Sequence, residues 1–295
     1  MNVKGKNMNN YVITTDSACD IKPAVLKEWG VCHRALNLKF TDSEEEFSND
    51  SVDPKEFYDK MRQGGIAKTS AVNVEAFCEL FEGFLKEGHD ILHLGFSSGL
   101  STTYNSARLA AEHLAEKYPD RKIIAVDTLS ASAGFGLLLY LTLEKKNSGA
   151  DIEEAAEYAK SLVSKLCHWF TVDDLVYLKR GGRISSTAAF VGNMLGIKPV
   201  LHMDDEGHLI NMSKVRGRKT AVTALADKYG ELADDKENGV VFISHADCLS
   251  DVKMLEEILK TRYGAKVSHV TDVGPVIGAH SGPGTLALFF VGKER

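Results

Sequence analysis

The sequence predicts an α/β protein in two parts: an N-terminal parallel-sheet domain over residues 9–165 and a mixed α+β domain over 166–295. Three observations carry this. Short β-rich runs alternate with helical patterns up to about Ser164, the rhythm of βαβ units and a parallel sheet. After that point GIKPVLHM, DDEG and HLINMSKV read as an antiparallel hairpin with a Gly-containing turn. The chain of 295 residues, 44% hydrophobic and 26% charged, is long enough for a large core and has the composition of a globular protein.

The elements follow in order. Residues 1–10 are polar and read as a frayed tail. YVITT (11–15) is a strand, Pro23 suits the first turn of a helix, and VCHRALNLKF (31–40) reads as the next strand. Asp42 to Asp53 reads as a solvated loop, and residues 54–62 as a short helix stopped by Gly64-Gly65. Residues 73–86 carry apolar residues at helical spacing, DILHLGF (90–96) is a buried strand, and 101–117 is a helix. KIIAVD (122–127) is another strand, followed by helices near 130–146 and 151–165. CHWFTV (167–172) is a strand, and Asp173-Asp174 caps a short helix. Beyond the hairpin come helices at 217–230 and 249–262, strands at 240–246 and 266–273, a Gly-rich loop, and the strand TLALFFVG.

Composition excludes several function classes. A net charge of -6 argues against a general nucleic-acid binder. The uncharged run Thr128 to Leu143 falls short of the ~20 apolar residues that span a bilayer and contains Ser and Gly. The first ten residues lack a signal-peptide core. Five scattered cysteines with no CxxC indicate neither a zinc ribbon nor a disulfide framework, and a reducing cytoplasm is the simplest compartment. His89 and His93 bracket a strand start, where a spacing of four does not join two rings on a metal. No Walker-type loop and no G-x-G-x-x-G after a strand is present.

Five constellations bear chemistry. G-F-S-S-G (95–99) follows a strand and precedes a helix, so Ser97 occupies the nucleophile position of a serine esterase, with Asp127 and His280 completing the order Ser, Asp, His. No HGGG-like oxyanion segment accompanies it. The same stretch crowds Ser97, Ser98, Ser101, Thr102 and Thr103 around a helix start, which suits a carboxylate without any nucleophilic attack, or serves ordinary capping. Thr69-Ser70 offers similar chemistry from a loop before the next helix. G-A-H-S-G-P-G (278–284) reads as a tight loop with His280 at its centre, able to donate to an anion or to act as acid or base. Among the basic residues from Lys179 to Lys219, Arg183 and Arg216 adjoin glycines and suit forked anion contacts. In TDSACD (15–20), Asp16 at a strand end reads as a pin for neighbouring loops, and Cys19 near a helix start could have a lowered pKa.

Seven segments in one order resemble the DegV family of fatty-acid-binding proteins: TTDSACD, KTS, SSGLSTTYNSA, VDTLSASAGFG, DDLVYLKRGGRIS, LGIKPVL with KVRGRKTA, and VGPVIGAHSGPG. The resemblance spans Tyr11 to Lys293. It implies a two-domain DegV-like fold with the lipid site between the domains, and a non-enzymatic, cytoplasmic carrier without cofactor or metal. In the family's role, the acyl-carrying subunit of bacterial fatty acid kinase, the protein presents a long-chain fatty acid to a separate ATP-dependent kinase. Acyl phosphate is formed there for phospholipid synthesis, with transient contact with a membrane surface. The resemblance assigns the carboxylate to Thr69, Ser97 or Ser98, and His280, and places Arg183 and Arg216 near the head group or the kinase-docking face. The chain departs from the family's T-S-Q-P-S at Ala71-Val72-Asn73 and from Ser-Gly-Thr-Tyr at Thr102.

The residues agree with that role. A buried carboxylate is costly unless hydroxyls, a His or helix N–H groups surround it. An acyl chain gains about 0.8 kcal/mol per buried methylene, enough to hold it without a covalent bond. Two sets of apolar residues are candidates for the acyl wall, Phe190, Met194, Leu195 and Ile197, or Phe135, Leu137 and Leu138. A sensor module using the same carboxylate site is a further alternative.

Overall fold

A computed structural model describes residues 10–185 and 196–295. The described elements run β1 (Tyr11–Asp16), α1 (Pro23–Glu28), β2 (Cys32–Arg34), β3 (Asn37–Phe40), β4 (Phe47–Ser48), α2 (Pro54–Arg62), β5 (Ala67–Ser70), α3 (Val74–Lys86), β6 (Asp90–Gly95), α4 (Thr103–Lys117), β7 (Ile123–Asp127), α5 (Ser132–Asn147) and α6 (Ile152–Val163). They continue with β8 (Leu166–Thr171), α7 (Val176–Arg180), β9 (Ile197–Met203), β10 (Leu209–Arg216), α8 (Arg218–Leu232), β11 (Val241–His245), α9 (Leu249–Tyr263), β12 (Val267–Asp272), α10 (Pro275–Ser281) and β13 (Leu286–Val291).

The helix ends follow the capping chemistry of the sequence. Pro opens α1, α2 and α10, where its missing N–H costs nothing. Asp53 and Asn73 cap α2 and α3, and Asp151 forms a reciprocal capping box with Glu154 at α6.

Three sheets result among the described residues. The first is the parallel order β2-β1-β6-β7. The second, β10-β9-β8-β13-β11-β12, is antiparallel except for the β11–β12 pair. The third, β4-β3-β5, is a small antiparallel sheet. A parallel N-terminal sheet and a mixed C-terminal sheet are the architecture the alternation predicts.

Residues 31–40 differ from the single predicted strand. They form β2 and β3, which belong to different sheets. Leu36 lies between them, its backbone N–H donating to Ser17 Oγ, and its buried side chain turns the chain from one sheet to the other. Thr69 and Ser70 also differ: they lie in β5, paired with β3, rather than in a loop. The segment around His280 is the helix α10 rather than a tight loop, with Gly282 ending it at a positive φ of 81°. Cys19 is fully buried, and burial raises its pKa well above the usual thiol range, opposite to the shift expected at a helix start.

The six-stranded sheet separates two cores with the period of two that a strand imposes. Along β13, Leu286, Leu288 and Phe290 face α8 and α9, while Ala287 and Phe289 face the N-terminal half. The helix α5, uncharged from Ser132 to Leu143, occupies that second face. It is apolar nearly all round because it packs on the 3-10 turn at Ser17–Cys19 on one side and on β8, β11 and β13 on the other. Gly134 permits this approach, since a Cβ there would stand 2.4 Å from His168 Nε2. Among the described residues no helix is long and apolar enough to cross a membrane.

Candidate functional site

A cavity of about 450 Å³ lies between the inner face of the six-stranded sheet, α10 and the loop after β6. Thr69, Ser98, Arg183 and His280 all line it. They come from β5, the loop after β6, the segment after α7, and the last turn of α10, so no two are neighbours in sequence.

Each is held by its own element. Thr69 stands opposite Leu38 in the β3–β5 pair. α10 packs on β5, and Tyr58 of α2 fixes the approach to α10 by donating to the Val273 carbonyl at 2.7 Å. His280 Nε2 consequently lies 2.8 Å from Thr69 Oγ1. The other edge of the ring rests on Gly181, where a Cβ would meet Nδ1 at 2.2 Å; the first glycine of the K-R-G-G-R segment makes room for the imidazole. Burial, and secondarily the Arg183 charge, push the His280 pKa down to about 4. The ring is therefore neutral at neutral pH and offers a hydrogen bond rather than a charge. Arg183 supplies the positive charge. Its Nε and Nη2 donate to the Leu100 carbonyl at 3.2 and 3.1 Å, and Nη1 donates to the Gly181 carbonyl. The guanidinium thus ties the loop after β6 to the end of α7.

Two carboxylates shape the loop that carries Ser98. Asp16, fully buried at the end of β1, accepts from the backbone N–H of Ala18 at 3.0 Å and of Phe96 at 2.9 Å. This is the pinning expected of it, and burial pushes its pKa up to about 7. Asp127, ending β7, accepts from the backbone N–H of Ser98 and Leu129. Ser98 is left exposed and lines the cavity.

Its neighbour Ser97 faces the other way. Ser97 is fully buried, donates to the Gly207 carbonyl at 2.9 Å and accepts from the Gly99 N–H, clamping the loop onto the β9–β10 turn. It is absent from the cavity wall, and its partners include no imidazole, so the esterase arrangement of Ser97 with His280 is not formed. Arg216 is exposed on the edge strand β10, away from the cavity lining. Thr102 lines the cavity, so the departure from Gly bears on its shape.

The described apolar wall differs from the second expected set, and of the first set only Ile197 falls among the described residues. Phe190, Met194 and Leu195 lie outside the described residues. Ile197 is not part of the lining, and Phe135, Leu137 and Leu138 are fully buried in the core behind it. The described wall comes from Phe170 of β8, Ala287 and Phe289 of β13, Val276 and Ile277 of α10, and Leu36. The alternation of β13 was the available signal, since its Ala-Phe face is distinct from its Leu-Leu-Phe face. Among the described residues no group of His, Cys, Asp or Glu is arranged to hold a metal. His93 is instead a core residue, bonded to Thr14 and packed on Phe77 and Phe81.

A family model described as "Uncharacterised protein, DegV family" matches residues 10–293. The chain belongs to the DegV family. A DegV domain-containing protein of Clostridium perfringens is 43% identical over 289 residues, covering 98% of this chain and 99% of that one. Among solved structures, a DegV lipid-binding protein from Thermotoga maritima is 32% identical, with a TM-score of 0.83 over 97% of this chain and 99% of that chain. A stearic-acid-binding protein from Eubacterium ventriosum is 26% identical, with a TM-score of 0.85 over 96% and 98%. These two solved relatives are described by the lipid they bind, and the architecture described above is the DegV fold.

Proposed function

We propose that this DegV protein holds a long-chain fatty acid non-covalently in the cavity and presents its carboxylate to a separate ATP-dependent fatty acid kinase, which forms the acyl phosphate. The observation that carries the reading is the pairing of Thr69 with His280 on the wall of an otherwise largely apolar cavity. With Nε2–H donating to Thr69 Oγ1, the Thr69 hydroxyl is free to donate to a carboxylate oxygen. Ser98 provides a second hydroxyl, and Arg183 a charge on the same cavity wall. Ser97 acts on this site by holding the loop of Ser98, and Arg216, exposed on β10, suits the kinase-docking or membrane-facing surface. In the two-domain division at about residue 165, the site takes Thr69 and Ser98 from the first part and Arg183 and His280 from the second.

The role is that of a carrier: Thr69 stands beside the His280 imidazole, but Nδ1 of that ring rests against Gly181 with no carboxylate among the described residues to orient it as a base. Solvent extraction of the purified protein, read by mass spectrometry, is expected to release a free fatty acid. An empty extract together with no uptake of added fatty acid would overturn the reading. Incubation of the loaded protein with a fatty acid kinase and ATP, with hydroxylamine trapping of acyl phosphate, tests the kinase step separately.

A further inference from the structure

Several polar side chains line the cavity, and Ser244 is one on the inner wall that a plain hydrocarbon chain does not use. Ser244 of β11 stands directly beside Ala287 of β13, and both line the cavity. Thr285, two positions nearer the end of α10, spends its hydroxyl on the Ser281 and Gly282 carbonyls. Ser244 therefore lies about 7 Å farther along the wall from that end than Thr285 does. On the other side of Ala287 the wall is Phe170. His168 of β8 also lines the cavity: with Nδ1–H donating to the Leu166 carbonyl at 3.0 Å, its Nε2 is an acceptor without a hydrogen-bond partner among the described residues, beside Gly134.

Ser244 Oγ lies 2.9 Å from Ser132 Oγ, and Ser132 Oγ lies 2.5 Å from Asp20 Oδ2. A hydroxyl has one hydrogen and two acceptor positions. With Asp20 ionised, Ser132 donates to it, Ser244 donates to Ser132, and Ser244 keeps unspent lone pairs. With Asp20 protonated on Oδ2 the chain reverses, and Ser244 keeps an unspent O–H. Burial pushes the Asp20 pKa up to about 8, toward the protonated form. In both arrangements Ser244 has capacity left on the cavity side of the chain. Only a group that can both donate and accept satisfies it in either state, and a hydroxyl is that group.

We infer that the acyl site favours a fatty acid carrying a hydroxyl at mid-chain, recognised by Ser244 within the Asp20–Ser132–Ser244 chain. The inference rests on the fatty-acid reading and goes beyond it by naming the class of acid. A methylene placed against Ser244 leaves that capacity unmet, whereas a hydroxyl meets it without altering the apolar contacts elsewhere.

The test is a competition titration on the delipidated full-length protein with stearic acid, a mid-chain hydroxystearic acid and the corresponding oxostearic acid. The hydroxy acid is expected to bind about tenfold more tightly than stearic acid, with the oxo acid between them. Ser244→Ala is expected to bring the three to near equality while stearic acid still binds. Ser244→Cys, close to isosteric, serves the same comparison if the alanine variant does not fold. Equal affinities in the unaltered protein, or a preference that survives both substitutions, overturn the inference and leave fatty-acid binding standing. Failure of all three acids to bind overturns both.

Discussion

The opening of the cavity and its inner wall are built on opposite principles. At the opening, Thr69, Ser98, Arg183 and His280 arrive from four separate elements, and each is oriented by a bond of its own, to a carbonyl, a carboxylate-pinned loop or a neighbouring strand. On the inner wall, Phe170, Ala287 and Ser244 sit side by side in three adjacent strands, set by the register of one sheet. The opening confers a place for charge, the wall a place for length and shape. A change at the opening should therefore weaken all acids alike, and a change on the wall should discriminate among them.

The largest effect is expected from Ala287→Phe. The added ring would occupy the room between Phe170 and Ser244 and displace three or four methylenes, each worth about 0.8 kcal/mol. Long-chain acids should lose roughly a hundredfold in affinity, while short-chain acids change little in a displacement titration. A uniform loss across chain lengths would show that the wall does not measure length.

Next is Thr69→Val, which keeps the β-branched shape that β5 favours and removes the hydroxyl. Every acid should weaken by about tenfold regardless of length, the effect of one hydrogen bond to a carboxylate. Unchanged affinity would remove Thr69 from the carboxylate site. The smallest effect on binding is expected from Ser97→Ala. Its loss should appear mainly in stability, about 1 kcal/mol by denaturant titration, because its hydroxyl joins two loops inside the protein. A larger effect on affinity than that of Thr69→Val would reverse the roles given to the two residues.

Much of the opening was legible in the sequence because it is written in motifs. Ser97-Ser98 follows a buried strand, Thr69 precedes an Asn-capped helix, and His280 sits among glycines. Their chemistry narrows the choice to an anion. Pairs of adjacent residues were less legible. Ser97 and Ser98 have the same side chain, and only the β9–β10 turn, packed over the loop, decides which of them is enclosed. The strand state of Thr69-Ser70 was hidden because β5 is a short strand whose partner β3 is distant in sequence and had itself merged with β2 in the reading of residues 31–40. Gly278 and Gly282 suggested a loop around His280, yet Pro275 starts a helix there, and Gly278 lies where a Cβ would meet Tyr58 Oη at 2.3 Å.

Alone, the sequence determined the alternation of strands and helices, the antiparallel hairpin, the capped helix starts and the residue types able to receive a carboxylate. These depend on local periodicity and on groups within a few positions of one another. The tertiary structure decided that α5 is an interior helix between the 3-10 turn after β1 and the six-stranded sheet, that Ser98 rather than Ser97 lines the cavity, that Arg216 stands away from it, and that Ala287 leaves room where Phe170 and Phe289 do not. An apolar residue in a strand has the same local signature whether it meets another side chain or an acyl chain. Only the packing of distant elements distinguishes a filled core from a cavity.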